Sequence, residues 1–249
     1  MSATTPLLQL TRMELRLLLR EPATLLFTLV LPLGLMLVFG LGFRDDPAPT
    51  GGGQHEAPTF LPALSLMIAV GMLGFFALPS VLGSYREKGV LRRLSTTPVS
   101  PTALLVAQLV VQLGTALLAV TVLVAVGHLV VGLPLPQNVP GFVLAVVLGL
   151  AGLFGVGLVV AALSPTARIA GSVGPLLFFP MLFLAGTWLP RERMPELLAT
   201  VGAYSPLGAL IDTVAAAWAG AAPAAGQLVA MAVLAVVLGG LAARLFRWE

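Results

Sequence analysis

Long apolar runs separated by short polar segments dominate this chain. Six of them reach the length of about 20 residues that a helix needs to cross about 30 Å of hydrocarbon. They occupy residues 23–43, 60–83, 102–132, 141–163, 169–189 and 226–245. The pattern predicts an all-α polytopic membrane protein with six transmembrane helices.

The segment before the first run, residues 7–20, has two distinct helical faces. Its basic residues recur every fourth position, at Arg12, Arg16 and Arg20. Its apolar residues fall on the other face: Leu10, Met13, Leu17 and Leu18. This pattern is typical of an interfacial helix that lies on a membrane. We therefore expect an interfacial helix within residues 1–22 and a single transmembrane domain over residues 23–249.

Composition excludes an ordinary soluble domain. The chain is 58% hydrophobic and 9% charged, with a mean hydropathy of +1.04, whereas soluble domains are about 25% charged. The net charge is +3, but the basic residues are scattered between the runs and form no stripe for nucleic acid. There is no cysteine, so a disulfide framework and a thiolate site are both excluded.

The distribution of basic residues predicts the topology. With both termini in the cytoplasm, the inner loops hold ten basic residues and the outer loops hold three, as the positive-inside rule requires. The inner set is Arg12, Arg16, Arg20, Arg86, Lys88, Arg92, Arg93, Arg168, Arg244 and Arg247, and the outer set is Arg44, Arg191 and Arg193. We expect a multi-pass protein of the cytoplasmic (inner) membrane.

Residues 207–222 form a seventh apolar stretch that is short and carries Asp212. A seventh crossing would move the basic C-terminal end outside and weaken the charge asymmetry. Pro206 and Pro223 bound the stretch, which suits a short element. We therefore predict an outer re-entrant hairpin before the last span.

A charged segment, residues 85–100, separates the second run from the third. Arg86, Glu87, Arg92 and Arg93 give it a charged face, and apolar residues at 90, 91 and 94 give it another. The pattern predicts a short amphipathic helix. Two interpretations stay open at this point: a loop whose arginines only set the topology, or a helix that docks another protein.

Several segments resemble one known family. Arg-Glu-Lys-Gly-Val-Leu-Arg-Arg-Leu at 86–94, followed by Thr-Thr-Pro-Val-Ser-Pro at 96–101, is similar to the signature of type-2 ATP-binding cassette (ABC) permeases, especially small bacterial drug and antibiotic exporters. Arg-Glu-Pro at 20–22, the Pro-rich stretch 180–190, Met-Pro at 194–195 and Ser-Pro at 205–206 agree. One departure is Ala185, where the family often has serine.

The resemblance implies a permease subunit that exports a hydrophobic substrate, such as a drug, an antibiotic or a lipid. It implies a homodimer, with a route lined by the second and fifth spans, and a soluble ABC ATPase partner that carries the ATP and magnesium. Segment 85–100 would then be a coupling helix seated in a cleft of that ATPase. Its implied contact residues are Arg86, Glu87, Lys88, Gly89, Arg92 and Arg93.

The sequence offers no catalytic constellation of its own. A P-loop needs the pattern G-x-x-x-x-G-K-[ST], and the only lysine, Lys88, follows Glu87. A metal site needs clustered ligands, and the two histidines, His55 and His128, are far apart in the sequence. We therefore expect a transport subunit with no cofactor, rather than an enzyme.

Two other functions stay open on the residues alone: an ion-coupled secondary transporter and a non-transporting assembly or signalling subunit. Ion coupling needs ionisable groups at membrane depth. Gln108 and Gln112 share one helical face, and they either line a pathway or hydrogen-bond a neighbouring helix. His128 is interpreted as an interfacial side chain. Pro175 and Pro180 mark a possible hinge or a static bend in the fifth span.

Overall fold

The structure is a computed structural model that describes residues 4–20, 26–42, 57–90 and 101–245. The described residues form helices and connecting segments without any strand. Helix α1 is Thr4–Leu19, and α2 joins a π-helical turn, Leu26–Val30, to Leu31–Gly42. Helix α3 runs through Ala57–Met72, the π-helical turn Leu73–Ala77 and Leu78–Glu87. The rest are α4 (Pro101–Val126, ending in the π-helical turn Gly127–Val131), α5 (Val139–Leu163), α6 (Ala167–Leu184), α7 (Glu196–Tyr204), α8 (Pro206–Trp218) and α9 (Ala225–Leu245).

Five of the described helices, α3, α4, α5, α6 and α9, are long and apolar enough to cross a membrane. They match five of the six predicted spans and confirm the all-α polytopic fold. The predicted first span corresponds to α2, whose described part is shorter. The ends of that prediction, residues 23–25 and 43, lie outside the described residues.

Helices α7 and α8 form one bent pair with an angle of 74° between them. Ser205 stands at the bend, where its hydroxyl donates to the Gly202 carbonyl (2.7 Å) and accepts from the Gly208 amide (3.1 Å). Pro206 then occupies the first helical position, which suits its missing N–H group. The predicted hairpin at 207–222 is therefore displaced: its helices span residues 196–218, and sequence reasoning missed the first arm.

Helix α8 is almost wholly buried among the longer helices. Its last carbonyls would be unsatisfied in hydrocarbon, and the α4–α5 loop supplies donors for them. The Asn138 amide donates to the Ala217 carbonyl (3.0 Å), and the Asn138 side chain donates to the Ala221 carbonyl (3.0 Å). The Trp218 indole in turn donates to the Pro134 carbonyl (2.7 Å). These bonds tie the end of α8, which residues 219–221 continue in exposed positions, to the α4–α5 loop.

Glycines bring the backbones of α3, α5 and α6 into direct contact. A Cβ atom at Gly157 would collide with the Gly74 carbonyl oxygen, and one at Gly174 would collide with the Phe75 carbonyl oxygen. Both carbonyls belong to the π-helical turn of α3. Elsewhere on α5, Gly149 faces Leu210 of α8 and Gly155 faces Leu238 of α9, so these small residues serve contacts within one chain.

The predicted fifth span, residues 169–189, ends earlier than expected. Helix α6 finishes at Leu184, and Gly186 follows with a φ of +87°, a left-handed conformation typical of the residue after a helix. Pro175 and Pro180 both lie inside this one helix. No described feature tests whether either acts as a hinge.

Successive long helices alternate in direction, which gives the bundle two ends. The Lys88 end is where α3 and α5 finish and α6 begins. The Arg191 end holds the α4–α5 loop, the turn Arg191–Arg193, the bent pair and the start of α9.

Candidate functional site at the Lys88 end

The last turn of α3 carries the first charged residues of segment 85–100. Tyr85, Arg86 and Glu87 continue α3 instead of beginning a separate helix, because the first break comes only at Lys88. There the amides of Lys88 and Gly89 donate to the Ser84 and Arg86 carbonyls (both 3.0 Å). Residues 91–100, with the predicted site residues Arg92 and Arg93, lie outside the described residues.

Gly89 ends α3 through its backbone conformation. Its φ is +65°, in the left-handed region that residues with a Cβ atom disfavour. A Cβ atom there would meet nothing within 4 Å. Within this chain the requirement for glycine is therefore conformational, and the close approach to a partner that the resemblance implies stays a prediction.

Arg86 caps the end of α5. Its Nη1 atom donates to the carbonyls of Ala162 (3.0 Å) and Ser164 (3.1 Å), with a longer bond to Ala161 (3.4 Å). The last carbonyls of a helix lack partners within it and carry its negative dipole end. A guanidinium with several donors is well suited to this position.

Glu87 holds the start of α6. Its Oε2 atom accepts a hydrogen bond from the amide of Ala167, the first residue of that helix (3.2 Å). A carboxylate is favoured there because the first amides of a helix are unpaired and carry its positive dipole end. Neighbouring side chains of α3 therefore bracket the turn between α5 and α6, residues 164–166. Sequence reasoning missed these partners, because backbone groups have no sequence signature.

A second contact joins α1 to the same end of α3. Glu14 of α1 is buried, and the Tyr85 hydroxyl donates to its Oε2 atom (2.5 Å). Both groups line a cavity of about 80 Å³, together with Ser84, Lys88 and Gln108. The buried side of α1 is thus built around a carboxyl group that sequence reasoning did not single out. Arg12 and Arg16 of α1 are exposed, and so are Met13 and Leu17 on the predicted apolar face, the side that an interfacial helix turns to lipid.

The two glutamines predicted as possible pathway residues are both buried within this chain. Gln108 is 4% exposed and faces the small cavity beside Glu14, while Gln112 is 1% exposed. Among the described residues, no group bonds to the Gln112 Oε1 atom. His128 lies exposed at the opposite end of α4, where its Nδ1 atom is 3.0 Å from the Leu133 carbonyl oxygen.

A buried polar network lies at the Arg191 end. Arg191 forms an ion pair with Asp212 of α8, whose other carboxylate oxygen accepts from the side-chain Nε2 atom of Gln227 of α9 (2.6 Å). Gln227 also donates to the Ala203 carbonyl of α7 (3.0 Å). The network joins the turn after α6, both arms of the bent pair and the last span. Sequence reasoning used Asp212 as an argument against a crossing and as a possible polar group at membrane depth, and it missed the partners of this residue.

Apolar side chains line a larger, open groove of about 480 Å³ between α4, α5 and α9. Val110, Leu113, Leu150 and Phe154 line it, and Gly239 leaves space on the side of α9. Within the described part of the chain there is no cluster of three or more His, Asp or Glu side chains that suits a metal ion.

Comparisons with known proteins agree with this architecture. The sequence model of a family described as "ABC-2 type transporter" matches residues 5–218. The "Inner membrane transport permease YhhJ" of Escherichia coli (strain K12) is 26% identical over 160 residues, which cover 63% of this chain and 39% of that protein. The Shigella flexneri protein with the same description gives the same values. The chain thus spans about two fifths of the length of these curated relatives.

Proposed function

The chain belongs to the ABC-2 type transporter family, and on this premise we propose that it is the membrane-spanning subunit of an exporter driven by a separate ABC ATPase. The observation that carries the proposal is the arrangement at the Lys88 end. Segment 85–100 begins in the last turn of α3, and this turn holds the ends of α5 and α6 through Arg86 and Glu87. An ATPase bound at this segment would therefore move three spans together.

The Lys88 end faces the cytoplasm of an inner membrane, with both chain termini on that side. In the described part of the chain, seven basic residues lie on α1, directly after it or at this end of the bundle, and two lie at the Arg191 end. This asymmetry supports the orientation through the positive-inside rule. The ATPase then binds from the cytoplasm, where ATP is available.

The proposed substrate is hydrophobic: a drug, an antibiotic or a lipid-like molecule. Two observations support it. The spans are almost free of charged groups, and the open groove of about 480 Å³ between α4, α5 and α9 is lined by apolar side chains. Two copies of the chain together form the route. Helix α6 is mostly exposed in one copy, while α3 is mostly buried, so α6 rather than α3 offers free surface to a second copy or to the substrate.

Purification of the tagged chain in mild detergent tests the proposal. We expect a P-loop ATPase to accompany it in a one-to-one ratio. We also expect the complex in liposomes to transport a hydrophobic fluorescent dye only when ATP is present. Transport that survives ATP depletion and collapses with the proton gradient would instead indicate an ion-coupled transporter. A stable complex whose ATP turnover never responds to substrate would indicate an assembly subunit.

A further inference from the structure

We infer that Arg86 and Glu87 are positioning residues that carry movement of α3 to the α5–α6 turn, and that they are not the groups that bind the ATPase. The inference rests on the proposed function, which it deepens by separating two roles within segment 85–100. Binding is then left to the exposed Lys88 and to the residues that follow it.

One face of α3 packs against the turn between α5 and α6. Gly83, Arg86 and Glu87 are spaced three and four residues apart, so they lie on the same side of the helix. A Cβ atom at Gly83 would lie 3.0 Å from the Ala167 Cα atom and 3.2 Å from the Thr166 carbonyl oxygen. A Cβ atom there would push the turn away by a few tenths of an ångström, so glycine at position 83 keeps the turn within reach of the two charged side chains.

The two side chains hold opposite sides of a three-residue turn. The Arg86 guanidinium donates hydrogen bonds to the carbonyls that end α5, and the Glu87 carboxylate accepts a hydrogen bond from the amide that begins α6. The positive guanidinium lies at the negative end of the α5 dipole, and the negative carboxylate lies at the positive end of the α6 dipole. A shift of the α3 end therefore acts on α5 and α6 at once. Glu87 is exposed at the rim of this contact, so its contribution is orientation more than stability.

Ala167 offers a way to remove the Glu87 bond from the other side. Proline at this position loses the amide hydrogen but suits the first residue of a helix. The preceding residue, Thr166, already has the extended conformation (φ −135°, ψ 157°) that proline requires of its neighbour. Ala167→Pro thus deletes the same hydrogen bond as Glu87→Ala, without touching the surface that an ATPase would contact at Glu87.

The decisive experiment measures two quantities for each variant in the complex with its ATPase: affinity for the ATPase, and dye transported per ATP hydrolysed. We expect Glu87→Ala and Ala167→Pro each to lower transport per ATP about fivefold, the effect of one hydrogen bond, with unchanged ATPase affinity. The double variant should be no worse than either single variant, because both delete one bond. Glu87→Gln keeps an acceptor oxygen and should restore near-normal coupling.

Lys88→Ala is the matched control, and it should weaken ATPase binding while leaving transport per ATP in the bound complex unchanged. The inference is overturned if Glu87→Gln loses ATPase affinity, as an intersubunit ion pair would require, or if the losses of the two single variants multiply. Should Ala167→Pro fail to fold, Glu87→Ala and Glu87→Gln decide the question between them. A wild-type chain that binds no ATPase would instead refute the proposed function, so the two failures are distinguishable.

Discussion

Removal of Asp212 tests the buried network at the Arg191 end. Asp212→Ala leaves the Arg191 guanidinium without its carboxylate and takes away an acceptor from Gln227. The Arg191 and Asp212 side chains are only 11% and 13% exposed, so little water can replace the lost partner. Loss of one member of a buried pair costs about 3–5 kcal/mol. Because both side chains retain some exposure, we expect the lower end, a loss of about 3 kcal/mol.

Heat unfolding in mild detergent measures this loss, with the fluorescence of Trp218 as the signal. Trp218 ends the helix that carries Asp212, and replacement of Trp188 and Trp248 by phenylalanine makes it the only tryptophan. A loss of about 3 kcal/mol corresponds to a fall in Tm of about 6–12 °C for a chain of this size. Arg193→Met is the matched control: this arginine belongs to the same turn but is exposed, so its replacement should change stability by less than about 0.5 kcal/mol.

The double variant Arg191→Met/Asp212→Leu removes the whole ion pair, whereas Asp212→Ala leaves one charge unpaired. Comparing the two variants separates the cost of the unpaired charge from the contribution of the pair. Replacing a whole buried ion pair by apolar side chains is often neutral or stabilising, so the double variant should recover most of the Tm that Asp212→Ala loses. The reasoning is refuted if Asp212→Ala melts within about 2 °C of the wild type. It is also refuted if the double variant is less stable than the single one.

Three further substitutions test other contacts. Gly157→Ala should cost about 1–3 kcal/mol in the same unfolding assay, because its methyl group collides with the Gly74 carbonyl of α3. Tyr85→Phe should cost about 1–3 kcal/mol and increase proteolysis of α1, since it deletes the hydroxyl that bonds Glu14. Gly89→Ala should cost about 1–2 kcal/mol, because alanine disfavours the left-handed conformation.

Each of these three substitutions is paired with a control substitution in the same chain. Gly239→Ala adds a methyl group where nothing lies within 4 Å, so it should not destabilise α9. Tyr204→Phe alters a tyrosine that is 49% exposed and should leave the Tm unchanged. Gly89→Asn should cost less than Gly89→Ala, because asparagine tolerates the left-handed region better. A control that is as harmful as its paired substitution would contradict the contact assigned to that position.

The membrane itself explains why the fold was predictable. Hydrocarbon forces the backbone of each span into a helix and sets its minimum length, so apolar runs such as 141–163 predicted α5 almost to the residue. The end of α6 was predicted less accurately, although the glycine at 186 is a helix-stop signal that is present in the sequence. The first arm of the bent pair, α7, was missed because nine residues are too few to stand out as a span.

The candidate site was predicted only as a region. Charge and resemblance pointed to segment 85–100, and Arg86 and Glu87 do lie at an end of the bundle. Their partners are backbone groups about 80 positions away, and only the folded arrangement of α3, α5 and α6 brings them together. The ion pair of Arg191 and Asp212 joins residues 21 positions apart for the same reason.

Under the proposed function, the π-helical turn of α3 is the point about which the rest of that helix rotates. From this turn to Glu87 the helix has ten residues, a length of about 15 Å at 1.5 Å per residue. A rotation of about 10° about the turn would move the far end by about 3 Å. That displacement is comparable to the whole 3.2 Å separation between Glu87 and the Ala167 amide. Under the proposed function, a movement of this size would either carry the α5–α6 turn with it or break the hydrogen bond between Glu87 and Ala167.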